Sequence, residues 1–213
     1  MADFDFDISK VIIALDNMSV TKADKIIEEY KDKVYGFKIN HLLDGFIRKY
    51  RRNIFLDFKL HDIPNTMNLV IERQIKSYTS MMTVHMNNSE TALSKLQKYT
   101  DNIKLLGVTV LTSMSEDECK EIYSKSIEEM YERSISLMIK NKFWGAICSP
   151  KDLEYFKDVK HLKKICPGIQ MTPMNNDQVR TATPQEALDA GADYLVMGRA
   201  FIERLDENFH KQH

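Results

Sequence analysis

The chain has 213 residues, 43% of them hydrophobic and 29% charged, and 30 Lys and Arg against 31 Asp and Glu leave a net charge of −1. One domain spanning 1–213 is the expectation at this length, and the balanced charge excludes a general nucleic-acid binder, which needs a basic face. No apolar run reaches the roughly 18 residues of a membrane span, the acidic stretch from Met1 to Asp7 does not look like a targeting segment, and Cys119, Cys148 and Cys166 lack zinc-site spacing, so we expect a cytoplasmic protein with free thiols, no metal and no membrane contact.

In chain order, short aliphatic or β-branched runs alternate with helical patterns. A strand at 11–15 runs into Asp16, and Val20, Ala23, Ile26, Ile27, Tyr30 and Val34 then recur at helical spacing. Strands at 36–39 and 54–59 follow, then a helix carrying Met67, Val70, Ile71, Ile75 and Tyr78. Strands at 81–85 and 105–110 precede Ser115-Glu116-Asp117-Glu118, a capping box that starts another helix. Strands at 145–148 and 164–166 lead to Thr183-Pro184-Gln185-Glu186, which starts a helix with proline at its first position and Gly191 placed to end it. Ser149-Pro150 opens a helix in the same way, and the last strand is 194–197.

Eight strands alternating with helices predict parallel pairing through right-handed crossovers and closure into an α/β fold, the (β/α)8 TIM barrel. An open doubly wound sheet would ask for a glycine-rich loop after its first strand, and Asp16-Asn17-Met18-Ser19 stands there instead. A barrel places its active site at the C-terminal ends of the strands, where the charges of this chain collect. Asp57 and Lys59 share one face of the third strand because side chains alternate; Asp62 follows in the loop, Lys38 ends the second strand and Asp16 the first. Five charges are thus expected at one rim. The apolar Ile54-Phe55-Leu56 before them marks a strand buried on both faces, so the charges are either paired or functional. A network of alternating lysine and aspartate keeps each group ionised and offers a cation and a proton to a developing carbanion. Pro167-Gly168 and Gly198-Arg199, after the seventh and eighth strands, stand where barrels bind phosphate through backbone N–H groups, and Arg199 can add a bidentate grip. His85, at a strand end, is read as a packing or hydrogen-bonding residue, and the methionines and Trp144 as core.

The run Asp57-Phe58-Lys59-Leu60-His61-Asp62-Ile63-Pro64-Asn65-Thr66 resembles the D-x-K-x-x-D-I-P-N-T signature of the orotidine 5′-phosphate decarboxylase family. Ala14-Leu15-Asp16, Lys38, Val84-His85, Val108 to Ser113, Pro167-Gly168-Ile169, Asp177-Gln178, Arg180, Thr183-Pro184 and Gly198-Arg199 follow the family pattern in order, over residues 11 to about 201. The resemblance implies cofactor-free loss of CO2 from orotidine 5′-monophosphate to give UMP, the last step of de novo pyrimidine synthesis. It makes Lys59 the proton donor to C6 and places Asp57 near the departing carboxylate. Lys38 would hold the network and a ribose hydroxyl, and Asp16 another hydroxyl. Thr112 and Ser113 would read the pyrimidine edge, while Gln178, Gly198 and Arg199 hold the phosphate. Asp62 and Thr66 would reach the active site of the partner subunit in a homodimer, and residues 171–177 would form a lid. Gln170 stands among the substrate contacts where many members carry arginine, which implies a weaker phosphate grip, and Met86-Asn87-Asn88-Ser89 replaces small residues and glycine. The alternatives are a magnesium-dependent phosphate-sugar enzyme on the same barrel, or a non-catalytic nucleotide-binding barrel.

Overall fold

A computed structural model of the chain describes residues 4–16, 18–40, 53–75, 79–111, 113–171, 181–199 and 201–204. Eight strands, β1 (Val11–Ala14), β2 (Gly36–Ile39), β3 (Ile54–Leu60), β4 (Met81–His85), β5 (Lys104–Val108), β6 (Gly145–Ile147), β7 (Lys163–Cys166) and β8 (Tyr194–Met197), close into a parallel barrel in sequence order. Around it lie α1 (Val20–Tyr30), α2 (Pro64–Ile75), α3 (Glu90–Ser94), α4 (Glu116–Tyr123), α5 (Ile127–Lys140) and α6 (Pro184–Asp189). The TIM-barrel expectation is met; β2, β4 and β8 keep their sequence-based bounds, and the other five strands shift by a residue or two at one or both ends. Tyr78 and the connection 41–52 lie outside the described residues.

Alternation divides each strand between two cores. Outward side chains such as Ile13, Phe37, Ile39, Leu56, Val84, Leu105 and Met197 join the apolar stripes of the helices, among them Ile27, Met67 and Met138, in one large cluster. Inward side chains Ile12, Ala14, Phe55, Met81, Leu106, Ile165 and Val196 form a second cluster inside the barrel. Below it, at the N-terminal end, Tyr35 and Tyr194 pack with ring centroids 3.9 Å apart and Trp144 stacks on Tyr194 at 5.7 Å. Lys104 Nζ sits 4.7 Å from the Trp144 ring centroid and donates to the Tyr35 hydroxyl at 2.8 Å, so this end of the interior is plugged by aromatic rings and one ammonium.

Both capping boxes recognised in the sequence form, Ser115 with Glu118 and Thr183 with Glu186. Gly191 takes φ +103° just after α6, where its N–H bonds Leu188 O and that of Ala192 bonds Ala187 O. Besides the short α3, which the sequence pattern does not predict, two elements depart from expectation. Pro150–Phe156 is a 3₁₀ helix rather than an α-helix, and its buried Asp152 accepts bonds from Ser149 Oγ at 2.6 Å and Tyr131 Oη at 2.9 Å. The 14-residue α5 was not anticipated, although Ser126 and Glu129 cap it reciprocally and Met130, Tyr131, Ile135, Leu137 and Met138 form its buried face.

Gly36 opens β2 two residues before Lys38, and a Cβ built there would lie 2.2 Å from the backbone oxygen of Asn53. That oxygen accepts the Phe37 N–H at 3.0 Å, so any side chain at position 36 pushes β2 from β3 at the base of the charged site. Gly36→Ala should lower stability by about 1–3 kcal/mol, read as a drop in the urea midpoint; an unchanged midpoint would show that the two strands separate without cost.

Candidate active site

Because Phe37 and Ile39 point outward, Lys38 between them points into the barrel, and Asp57 follows Phe55 on the inner face of β3. Asp16, two residues beyond Ala14, completes the same layer. Lys38 Nζ donates to Asp16 Oδ2 in a very short ion pair and lies 3.4 Å from Asp57 Oδ2, which also takes Lys59 Nζ at 2.9 Å. The result is a continuous chain, Asp16–Lys38–Asp57–Lys59. Side-chain exposure is 13% for Lys38 and 17% for Asp57 but 42% for Lys59, so the chain runs from a buried ammonium to one that solvent or substrate can reach.

Burial alone would raise the Asp57 pKa. The charges of Lys38 and Lys59, then hydrogen bonds from Lys59 and Thr83, outweigh it and hold the carboxyl below the ordinary range. Thr83 was not singled out in the sequence, yet its hydroxyl is fully buried in the same layer and donates to Asp57 Oδ1 at 3.1 Å. The signal was a lone polar residue within Met81-Met82-Thr83-Val84, at an inward position. Asp16 Oδ1 is buried with no hydrogen-bond partner, an unsatisfied acceptor on a residue that lines the neighbouring cleft.

Simple alternation does not describe how Lys59 reaches Asp57. The pairing of β3 with β4 passes from Leu56↔Met82 to Leu60↔Val84, and within this irregularity Lys59 has φ +48°. A non-glycine residue in that region costs roughly 1–3 kcal/mol and is retained where its surroundings impose it. The bulge returns the Lys59 ammonium onto its own strand's carboxylate.

Lys38, Asp57, Lys59 and Ser113 line a cavity of about 320 Å³, with Phe55, Val108, Val110, Leu111, Ile147, Pro167 and Val196 as apolar walls. A second cleft of about 750 Å³ lies beside it and is lined by Asp16, Ser19, Lys22, Gly198 and Arg199 among others. Gln170 lines neither space; its backbone N–H bonds Ala182 O at 2.9 Å, next to the Ile169↔Ala182 bridge. Asp62 is exposed, its Oδ1 accepts the Ile63 N–H at 2.7 Å, and it is not part of the ion-pair chain, so four of the five expected charges meet within one chain. Thr66 stands in the first turn of α2. Thr112, Gln178, Arg180 and segment 172–177 lie outside the described residues.

His85 behaves as the sequence suggests. Burial, then the charges of His61 and Lys59, hold its pKa below the usual value; its ring stacks on His61 at 5.6 Å and its Nδ1 accepts the Asn87 N–H at 3.3 Å. Buried Asn88 ties the ends of β3 and β4 together, its Nδ2 donating to Leu60 O at 2.9 Å and His85 O at 2.8 Å.

Residues 9–208 match the family described as Orotidine 5′-phosphate decarboxylase / HUMPS family. The orotidine 5′-phosphate decarboxylase of Wolbachia pipientis is 34% identical over 206 residues, covering 91% of each chain. That of Dictyoglomus turgidum is 31% identical over 221 residues, covering 92% of this chain and 89% of its own. The crystal structure of the Lactobacillus acidophilus orotidine 5′-phosphate decarboxylase superposes with a TM-score of 0.72 at 27% identity and 90% coverage of each chain.

The depressed Asp57 pKa ties stability to pH. A carboxylate whose folded-state value lies below the unfolded value of about 3.9 adds stability at higher pH, and that contribution is lost as pH falls through the folded-state value. Native protein should therefore exceed Asp57→Asn in urea midpoint at pH 7, with the gap narrowing as the solution is acidified below about pH 4. A gap independent of pH would show that Asp57 contributes through shape rather than charge.

Proposed function

The chain belongs to the orotidine 5′-phosphate decarboxylase / HUMPS family, and we propose that its reaction is the conversion of orotidine 5′-monophosphate to UMP and CO2 by the ion-pair chain at the mouth of the barrel. The observation that carries this reading is the chain itself: a reachable Lys59 ammonium bonded to a buried, ionised Asp57, at the wall of a mostly apolar cavity.

In this reading the pyrimidine carboxylate lies against Asp57, whose charge disfavours it. The bond from C6 to the carboxylate breaks, CO2 leaves, and the electron pair stays on C6. Lys59 Nζ gives a proton to that carbon, and the neutral amine regains one from solvent. The ammonium is fixed before reaction by Asp57, so little reorganisation is needed as charge develops. Ser113, with Thr112, reads the ring edge. Asp16 Oδ1 takes a ribose hydroxyl, which would give that buried acceptor the donor it lacks, and Lys38 takes another. Gly198 and Arg199, in the adjoining cleft, hold the phosphate together with Gln178. Gripping the distant phosphate supplies binding energy that can act at the ring.

The magnesium-dependent alternative needs carboxylates free to hold a cation. Here the position between Asp16 and Asp57 is occupied by the Lys38 ammonium, so the donor set does not suit one. Loss of pyrimidine absorbance on mixing the native chain with orotidine 5′-monophosphate should be equally fast with and without EDTA, and Lys59→Ala should abolish it. An inactive native chain would refute the enzyme reading; activity surviving in Lys59→Ala would refute the proton donor.

The working unit of the proposal is a cytoplasmic homodimer in which Asp62 and Thr66 enter the partner's site. Asp62 is exposed with its Oδ1 bonded to the neighbouring Ile63 N–H, and Ile63, just before α2, and Leu69, on it, stand 66% and 59% exposed. The three cysteines are buried thiols outside any disulfide among the described residues, in keeping with a reducing compartment. Mixing inactive Lys59→Ala with inactive Asp62→Ala under exchange conditions should restore turnover, because a hybrid dimer has one site with both native residues; no recovery from subunits that do exchange would place Asp62 in its own chain's site.

A further inference from the structure

We propose that Thr83 is a positioning residue for the decarboxylation, holding Lys59 in its reactive geometry through one hydroxyl that binds both the lysine backbone and its partner carboxylate. The inference rests on the reading of Lys59 and Asp57 given above and extends it to a side chain that does not line the cavity.

The ladder between β3 and β4 has a gap. Between two consecutive paired positions, β3 advances from Leu56 to Leu60 while β4 advances only from Met82 to Val84. Four residue steps on one strand face two on the other, so the backbone groups of 57–59 cannot all find partners in β4. Unpaired backbone groups inside a barrel are costly. Thr83 sits in the middle of the shorter span, and its Oγ1 accepts the Lys59 N–H at 2.7 Å while donating to Asp57 Oδ1 at 3.1 Å. A hydroxyl can accept and donate at once, which neither a backbone group nor an aliphatic side chain can do here.

Two consequences follow for the reacting groups. The Lys59 N–H is held while its φ lies at +48°, so the bond opposes relaxation of the bulge toward a regular strand. Asp57 is fixed at both oxygens, Oδ1 by Thr83 and Oδ2 by Lys59 and Lys38, so it cannot rotate away from the lysine. Asn88 clamps the next carbonyl, Leu60 O, from the same side, and the reactive segment is thereby gripped by β4 and its following loop. Thr83 is fully buried, so substrate does not touch it, and its role shows in turnover rather than in binding.

The test compares kcat, KM for orotidine 5′-monophosphate and UMP affinity in the native chain, Thr83→Val, Thr83→Ala and Thr83→Ser, each checked for folding by its melting curve. Valine keeps the shape and removes the hydroxyl; serine keeps the hydroxyl. In Thr83→Val we expect kcat to fall by about 10- to 100-fold, the loss of one hydrogen bond to a charged group, with KM and UMP affinity within about threefold of native, and Thr83→Ser to recover most of the rate. If Thr83→Val fails to fold, Thr83→Ala carries the same comparison. A hydroxyl-free variant as fast as native, a serine variant as slow as the hydroxyl-free one, or a raised KM at unchanged kcat would overturn the proposal. A native chain with no turnover would instead refute the decarboxylase reading, so the two failures are distinct.

Discussion

Two aspartates and two lysines share the upper interior of a closed barrel, and the rest of the molecule is arranged around that constraint. Closure leaves no edge, so inward positions must be filled, and filling them with ions is tolerable only when each ion has a partner of opposite sign. Asp16, Lys38, Asp57 and Lys59 alternate in sign along one line of contacts. Removing one member leaves the other charge uncompensated, at a cost that rises with burial from the exposed Lys59 toward Lys38. Four strand ends are therefore bound to one another's placement: β1 carries Asp16 just past its end, β2 carries Lys38, β3 carries Asp57 and Lys59, and β4 supplies Thr83. A shift of any strand by one residue would turn its inward set outward and strand a charge.

The interior is graded along its axis. At the N-terminal end the rings of Tyr35, Tyr194 and Trp144 close the floor, with Lys104 bonded to Tyr35 and lying against Trp144. The middle is apolar, with Ile12, Phe55, Met81, Leu106, Ile165 and Val196. The top carries the alternating chain of four charges. A dry middle layer keeps water from reaching the ion-pair chain from below, so its electrostatics are set by the mouth, where substrate and solvent compete. The side chains of the floor support the site without belonging to it.

Most of this was legible because period-two alternation and helix caps are local signals. The inward placement of Lys38 follows from Phe37 and Ile39 on either side, and α4 and α6 start where Ser115 and Thr183 cap them. The bulge in β3 was not legible, since nothing in Leu56-Asp57-Phe58-Lys59-Leu60 announces a positive φ at a lysine. It is imposed by β4, through a hydroxyl contact between residues 24 apart in the chain. The same long-range character hid Thr83 itself. The α5 helix is hard to read for a different reason: its cap at Ser126 and its apolar stripe are local signals, but they follow α4 too closely to mark a new strand–helix unit. Asp62 illustrates a third limit, because a residue proposed to act in a partner's site shows only its local bond to Ile63 within its own chain.

The Asp16–Lys38 pair has a consequence for how a nucleotide would use the two spaces. Lys38 lines the smaller cavity and Asp16 the larger cleft, so one ion pair forms part of the wall between them. In the proposed reading the ring occupies the first, the phosphate the second, and the ribose crosses at the wall. A hydroxyl donated to Asp16 Oδ1 satisfies the one carboxylate oxygen of the network that has no partner. That contact bears on Lys38, and through Lys38 on Asp57, so ribose binding would be felt at the reacting end without any movement of backbone. Binding energy gained remotely can then sharpen the geometry at Lys59, because the ion pairs between the two are already in contact and need only tighten.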